Sequence, residues 1–334
     1  MRTYILRRIV HMVPVLLGVV TVVFVALRLI PGDPAVALAG EKASEAQIEQ
    51  MREALGLNRP LPVQYVEFVT HILTGQLGTS IRTGGAIGKE LLENFAPTVE
   101  LSVAALLIAV AVGLPSGVLA AIRRGTVLEQ VVMIGSLFGV SMPVFWIGLM
   151  LIYWLGAQAG LFPLSGTVST SVSIPPVTYV YSIDSLLAGD FAAFKDVLLH
   201  LVLPAITLSS VTMAIISRMA RSSMLEVLGR DYLTTARAKG LHERGVVLHH
   251  ALKNALIPVV TVIGLQLGSL LSGAVLTETV FGRVGIGRYV VMAINSRDYP
   301  VVQGTVIAIA FFVVTISLVV DVLYAALDPR IRYR

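Results

Sequence analysis

Long apolar runs alternate with short polar segments along most of the chain, and charged residues lie almost entirely in the polar segments. A helix that crosses the bilayer core needs about 20 mostly apolar residues, because in lipid its backbone groups must hydrogen-bond within the segment. The runs that reach this length predict six membrane-spanning helices, at 9–27, 101–122, 131–155, 197–217, 255–277 and 301–320. The third run contains Pro143, so it is predicted to be kinked or split into two shorter pieces.

The segment between the first two spans has the pattern of two short amphipathic helices rather than of a linker. The sequences SEAQIEQMREALGL and PVQYVEFVTHILTG each place apolar residues at helical spacing, the first behind a candidate N-cap at Ser44. Those residues are Ile48, Met51 and Leu55 in the first helix, and Val66, Val69 and Leu73 in the second. Gly56 and Gly75 follow the two patterns as stop signals. We interpret the pair as a small packed cap, with partner docking or pathway lining as the alternative.

The composition agrees with a membrane protein. The chain is 56% apolar with a mean hydropathy of +0.84, above the roughly 45–50% apolar content of soluble domains. It has no cysteine, which excludes disulfides, thiolate metal sites and a cysteine nucleophile. Arg7 and Arg8 precede the first run without a small-residue cleavage site, which favours a retained span over a signal peptide.

Charge is distributed unequally between alternate polar segments, and this asymmetry predicts the orientation. The segment 218–254 carries seven basic and three acidic residues, whereas 31–98 carries five basic and eight acidic residues. Because lysine and arginine stay cytoplasmic, we predict that 218–254 and both termini are cytoplasmic. The fold class is therefore an all-α, polytopic membrane protein. Its predicted parts are an N-terminal tail with the first span (1–30), an extracytoplasmic segment (31–98), and a core of five spans (99–334) that contains 218–254.

Familiar catalytic patterns fail on inspection. GGAIGKE at 84–90 lacks the glycine spacing and the Ser or Thr of a phosphate loop. GRVGIG at 282–287 has the wrong glycine order for a dinucleotide turn, so we assign it to a tight loop.

The histidines and carboxylates do not form a metal site or a proton relay in the sequence pattern. His249 and His250 are adjacent and would point about 100° apart on a helix, so they cannot easily share a metal. His200 fits an interfacial residue better than a proton relay, and no carboxylate pair lies within a predicted span. We expect no catalytic residue, cofactor, metal or nucleic-acid partner for this chain, and any uphill transport must draw energy from another protein.

The basic segment DYLTTARAKGLHERG, which begins at Asp231, interrupts the apolar pattern. It predicts a short helix with Asp231 as N-cap and a small apolar face of Leu233, Ala236 and Ala238, ended by Gly240. Helix then resumes near Glu243 and continues into the fifth span. One interpretation is a basic surface helix that holds anionic lipid. The other is a docking element for a second protein, which the small residues favour because they allow close backbone approach.

This segment resembles the EAA loop of the membrane subunits of binding-protein-dependent ABC importers. The family pattern falls on Thr234, Thr235 and Ala236, with Gly240 in place, although the Glu and first Ala are replaced. Lys253 stands where the general pattern has proline, and Pro258 comes five residues later. That departure is typical of the dipeptide and oligopeptide branch, and segments along nearly the whole chain also resemble that branch, including SMPVFWIGLML, RMARSSMLEVLGRDY, LTETVF and RDYPVVQG.

The resemblance implies the type I ABC importer permease fold and a bacterial inner-membrane location. It also implies a homologous sister permease, two ATPase subunits that bind ATP and Mg, and an extracytoplasmic solute-binding protein. The expected ATPase-coupling residues are Asp231, Tyr232, Thr234, Thr235, Ala236, Arg237, Lys239, Gly240 and Leu241.

A stripe of small residues in the fifth span has two open interpretations. Gly264, Gly268 and Ser272 either let another helix pack closely or line the pathway, where the Gln266 amide would meet a peptide. The substrate also stays open, since nickel, glutathione or another small solute suits the same branch. An ion-coupled carrier and a purely structural scaffold are the remote alternatives.

Overall fold

The computed structural model describes residues 2–29, 35–36, 43–54 and 56–327. Residues 30–34, 37–42 and Leu55, which fall in or next to the predicted extracytoplasmic segment, and the C-terminal residues 328–334 lie outside the described residues.

The described part of the chain is helical and contains no strand, only an isolated bridge between Thr79 and Ala86. The all-α prediction is therefore confirmed. Its helices are α1 (Arg2–Leu29), α2 (Glu45–Ala54), α3 (Leu61–Leu73), α4 (Ile87–Ile122), α5 (Val127–Ser141), α6 (Val144–Leu151), α7 (Tyr181–Leu187), α8 (Phe191–Leu228), α9 (Asp231–Ala238), α10 (Glu243–Gly245), α11 (Leu252–Val280), α12 (Ile286–Asn295) and α13 (Tyr299–Leu327). Two π-helical stretches, Ile152–Gln158 and Val246–Ala251, extend α6 and precede α11.

The predicted spans correspond to five long apolar helices and one bent pair among the described residues. The pair is Val127–Ser141 with Val144–Gln158, at an angle of 106°. Met142, between them, is extended at φ −83° and ψ 136°, because a residue before proline is pushed out of the helical region. Pro143 thus splits the third span, as the sequence allowed.

Several span helices are longer than the apolar runs that predicted them. Helix α4 begins at Ile87 rather than near residue 101, and α8 extends from Phe191 to Leu228. Hydropathy detects only the apolar length of a helix. The helical backbone hydrogen bonding continues into the polar residues at either end, so the helix is longer than the apolar run. Glu100 and Glu278 consequently lie on helices that are long enough to cross a membrane, although both residues lie just outside the apolar runs. The prediction that no carboxylate pair lies within a span stays a prediction.

The chain divides into two compact units. One comprises Arg2–Phe95 and Arg288–Thr315, and contains α2 and α3. Ser44 caps α2 as predicted, accepting a hydrogen bond from the Gln47 backbone N–H at 3.4 Å while its own N–H donates to the Gln47 side chain at 2.9 Å. Gly56 and Gly75 end α2 and α3 with positive φ.

Helix α3 packs through a face that keeps only Val69 of the three predicted residues. Phe68, Val69 and Ile72 contact a small apolar cluster formed by Val20, Val23 and Ile307. Val66 and Leu73, which the pattern had assigned to the packed face, are 62% and 81% exposed. Apolar periodicity could not separate the two faces, because both carry large apolar residues.

The other unit comprises Ala96–Gly287 with the described part of Ile316–Arg334, and α8 is its central helix. Helix α8 contacts α5, α6, α7 and α11. It also packs against α4 at Gly113 and Gly117, where a Cβ would lie 2.7 Å from the Met213 carbonyl oxygen and would overlap that of Ser217. These glycines are four residues apart, the spacing that lets two membrane helices approach closely.

The orientation predicted from charge can be tested by cysteine labelling, since the chain has no cysteine of its own. Gln50 and Lys239 are exposed and lie in the two segments predicted to face opposite sides. We expect Gln50→Cys to react with an impermeant maleimide in intact cells, and Lys239→Cys to react only after permeabilisation. Labelling of both positions from the same side would contradict the predicted topology.

Candidate functional site

The segment singled out in the sequence folds into an elbow, which we define as residues 231–245. Helix α9 ends in paired hydrogen bonds, from the Leu241 N–H to the Ala236 carbonyl at 3.4 Å and from the Gly240 N–H to the Arg237 carbonyl at 2.9 Å. This is the Schellman arrangement, which requires a left-handed residue after the helix. Gly240 supplies it with φ +77°, so the predicted glycine stop is confirmed.

One face of α9 is buried within the subunit. Leu233 is fully buried and Ala236 is 9% exposed. They pack in one cluster with the ends of α4 and α8 and with the start of the helix that follows the elbow: Val118, Ala121, Met224, Val246, Val247, Ala251 and Ala255. The apolar face that was expected to meet a partner therefore holds the elbow against its own subunit.

The opposite face of α9 is open. At about 100° per residue, Asp231, Thr234, Thr235 and Ala238 point away from Leu233, and all four are exposed. Two predictions about this helix are wrong. Ala238 belongs to the exposed face rather than to the apolar one, and Asp231 is the first helical residue while Arg230 occupies the cap position without a side-chain bond.

Two polar contacts brace the elbow. The Asn254 amide donates to the Tyr232 hydroxyl at 2.9 Å, which ties α9 to the base of α11. The Arg237 guanidinium donates to both carboxylate oxygens of Glu243, at 3.1 and 2.9 Å, across the glycine turn. The hydrogen bonds that Arg237 donates to Glu243 raise the pKa of Arg237 and lower the pKa of Glu243 from their ordinary values, so the pair is charged at neutral pH. Lys239 and Leu241 are exposed beside it.

The elbow continues directly into a long helical segment. Glu243–Val280 forms a single candidate span of 38 residues that includes α10, the π-helical stretch and α11. Pro258 lies inside α11 without ending it. The predicted connection between the basic segment and the fifth span is therefore present in the structure, and the π-helical stretch marks its base, a feature frequent at functional sites.

The structure places the small-residue stripe of α11 in mixed surroundings. A Cβ on Gly264 would lie 2.6 Å from Val320 of α13, whereas one on Gly268 would meet nothing within 4 Å. The Gln266 amide donates to the Thr212 hydroxyl of α8 at 3.2 Å, and Ser272 is exposed. Both interpretations of the stripe stay predictions.

No group of three or more metal-binding side chains occurs in the part of the chain that the structure describes. His249 and His250 are exposed on the π-helical stretch, with ring centroids 6.4 Å apart.

The far end of α11 carries a buried charged cluster that sequence reasoning missed. Its members, which we call the distal cluster, are Thr98, Glu100, Glu278 and Arg283. The Arg283 guanidinium donates to Glu100 at 2.6 Å, and the two side chains are 0% and 4% exposed. The Glu278 carboxylate accepts from the Thr98 hydroxyl at 2.5 Å and from the Gly287 N–H at 2.8 Å.

The GRVGIG loop wraps this cluster, which explains its glycines. A Cβ on Gly285 would overlap the Glu278 carboxylate, and one on Gly287 would overlap the Val275 backbone. The prediction of a tight loop is confirmed. The one sequence signal for the cluster was that charged residues lie just beyond two apolar runs. Exposed charges ordinarily lie at the same places, so this signal did not distinguish a buried charge from an exposed one.

The sequence matches a known family over most of its length. Residues 113–333 match the family described as "Binding-protein-dependent transport system inner membrane component", and residues 1–89 match "Binding-prot-dependent transport system membrane comp, N-term".

Full-length relatives have closely similar sequences. "Dipeptide transport system permease protein DppB" of Escherichia coli (strain K12) is 44% identical, with 100% of both chains covered. "Di/tripeptide transport system permease protein DppB" of Pseudomonas aeruginosa (strain UCBPP-PA14) is 46% identical, again with 100% of both covered.

A solved structure has the same fold at low sequence identity. The inward-facing MetNI methionine ABC transporter matches with a TM-score of 0.53 and 16% identity, covering 71% of this chain and 96% of that chain. The predicted type I ABC importer permease fold is therefore confirmed.

Proposed function

The chain belongs to the family of binding-protein-dependent transport system inner membrane components, and on that premise we propose how its elbow serves transport. It is a multi-pass inner-membrane permease of a peptide ABC importer. With a homologous sister permease it forms the pathway for di- and oligopeptides, and ATP hydrolysis in partner ATPase subunits drives the transport. An extracytoplasmic binding protein delivers the substrate.

The observation that carries this proposal is the two-faced elbow. One face of α9 is packed on the base of α11, and the opposite face of Asp231, Thr234, Thr235 and Ala238 is open. A protein that binds the open face is thereby connected through buried contacts to a helix long enough to cross the membrane. Leu233 and Ala236 are turned inward, and Tyr232 is the one large side chain with apolar surface on α9 that is exposed, at 43%. The open face itself carries no apolar side chain larger than the Ala238 methyl, which suits contact with a protein better than insertion into lipid.

The relatives support the substrate class. Those described above are named for dipeptides and di/tripeptides, and a further one, 46% identical over 96% of this chain, is named a probable D,D-dipeptide permease. These names favour peptides over nickel or glutathione. The chain supplies no cofactor site in this proposal, and ATP and Mg are bound by the ATPases.

Arginine substitutions on the two faces of α9 test the docking proposal. Ala238→Arg adds a long charged side chain to the open face, so we expect at least a tenfold loss of ATPase co-purification and of ATP-driven peptide uptake, about 1.4 kcal/mol of association energy or more. The unfolding temperature of the subunit should not change. Ala236→Arg forces a charge into the buried cluster and is expected to lower the unfolding temperature itself.

Gln50→Arg is the matched control, because it adds arginine to an exposed helical position far along the chain and should change neither measurement. Normal ATPase binding and uptake by Ala238→Arg would reject the docking face. The permease alone in liposomes should accumulate no peptide under an imposed proton gradient. Accumulation there would instead support an ion-coupled carrier, for which Glu100 and Glu278 would be the candidate groups.

A further inference from the structure

The distal cluster joins four parts of one compact unit. Glu100 belongs to α4, Glu278 to α11 and Arg283 to the loop after α11. The second oxygen of Glu100 accepts from the Ser182 N–H of α7 at 2.8 Å. The loop is further fixed by hydrogen bonds from the Ile286 N–H to the Thr98 hydroxyl at 2.8 Å and from the Val284 N–H to the Thr167 hydroxyl at 2.9 Å.

Stability alone is a poor explanation for the ion pair. Among the described residues, the Nε and Nη1 atoms of Arg283 are buried without a hydrogen-bond partner, and a buried donor left unpaired is unfavourable. Burying a guanidinium with two carboxylates also carries a desolvation penalty that apolar residues of similar volume would avoid. A pair held in spite of these penalties points to a requirement for a fixed position or a defined state.

The position of the pair suggests which requirement this is. The helical segment from Glu243 to Val280 has the elbow at one end and the distal cluster at the other, separated by about 57 Å at 1.5 Å per residue. A force on one end of a helix changes its angle to the neighbouring helices only if the other end is held in place. A free distal end would let the whole helix shift without changing its angle to α4 and α8.

We propose that Glu100 and Arg283 are positioning residues for energy coupling, which hold the distal end of α11 while the elbow is moved by the ATPase. This rests on the proposed docking of an ATPase at the elbow. The pair lies at the opposite end of the segment Glu243–Val280 from the elbow, so its loss should leave hydrolysis running and remove the transport that hydrolysis drives.

The test compares hydrolysis and uptake in the same proteoliposomes, which contain the complete importer, its binding protein and a labelled dipeptide. Glu100→Gln is the primary variant, because it is isosteric and leaves Arg283 with Glu278 as a counter-charge. We expect the ATP hydrolysed per dipeptide imported to rise at least about tenfold, with ATPase co-purification unchanged. Arg283→Lys keeps the charge and one donor, and should restore part of the coupling ratio relative to Arg283→Gln.

A double variant and a matched control distinguish positioning from general damage. Glu100→Gln with Arg283→Gln should change the ratio no more than Arg283→Gln alone, because members of one pair are not additive. Asp184→Asn removes another buried carboxylate, which accepts hydrogen bonds from residues 177–179 and not from α11, and should leave the ratio unchanged.

Two results would overturn this proposal without affecting the docking proposal. One is a normal ratio of ATP hydrolysed to dipeptide imported in Glu100→Gln, and the other is an equal loss of hydrolysis and uptake in that variant. Absence of ATPase from the purified wild-type importer would instead reject the docking proposal, and with it the premise of this inference.

Discussion

Replacing Gly240 with proline is expected to abolish ATP-driven uptake, with a loss of at least about 100-fold, because proline is confined to φ near −65° and has no N–H. Gly240 has φ +77° and its N–H donates to the Arg237 carbonyl. Both features of the turn are therefore lost together, and the exposed face of α9 no longer has a fixed relation to α11. The measurement is dipeptide uptake by proteoliposomes that contain the complete importer, alongside the amount of subunit inserted in the membrane.

Gly240→Asn is the control for this variant. Asparagine tolerates the left-handed region and keeps the N–H, and a Cβ at this position would meet nothing within 4 Å. We expect uptake within about threefold of wild type, since asparagine adopts the left-handed region with less strain than other non-glycine residues. Equal uptake by the proline and asparagine variants would show that the turn does not transmit the movement.

Gly117→Leu should have the largest effect on the stability of the subunit. A side chain at Gly117 would overlap the Ser217 carbonyl oxygen and come within 2.8 Å of the Ala220 methyl. The carbonyl belongs to the backbone of α8 and cannot rotate away, so α4 and α8 must separate. We expect a loss of about 3 kcal/mol, at the upper end of the usual cost of overpacking, measured by unfolding of the purified subunit in detergent.

Gly135→Leu provides the comparison, because Gly135 lies on the apolar helix α5 and a Cβ there would meet nothing within 4 Å. It should unfold like the wild type. If both leucine variants unfold alike, the close approach of α4 and α8 does not contribute to stability.

The sequence alone was sufficient for the elements whose signals are local. Apolar length identified the spans, Pro143 identified the break in the third, and Ser44 and Gly240 identified a helix start and a helix stop. Each of these depends on the backbone chemistry of one residue and its near neighbours, so no tertiary information was needed. The resemblance of the segment around Gly240 to the EAA loop supplied the family, which the full-length relatives confirm.

The faces of short helices were less predictable. In α9 the pattern grouped Leu233, Ala236 and Ala238, and only the structure shows that Ala238 is open. In α3 it chose Val66 and Leu73 over Phe68 and Ile72. Where a helix carries apolar residues on several faces, as membrane helices do, hydropathy no longer indicates which face packs.

The close contact of Gly113 and Gly117 with α8 had a readable signal in its four-residue spacing, although the sequence interpretation chose Gly264 and Gly268 instead. Many small-residue pairs share that spacing, and the choice among them depends on which helices are neighbours.

The sequence by itself determined the membrane class, the positions of the apolar helices, the elbow and the family, because lipid solvation and backbone geometry act on each segment separately. Only the tertiary structure decided which face of the elbow is open and that Glu100 and Arg283 meet 183 residues apart in the chain. From the sequence alone, a charge at the end of an apolar run is predicted to be solvated. Only the folded structure shows the partner that lies beside it. Which partner it meets depends on how distant segments pack, and that cannot be inferred from the run itself.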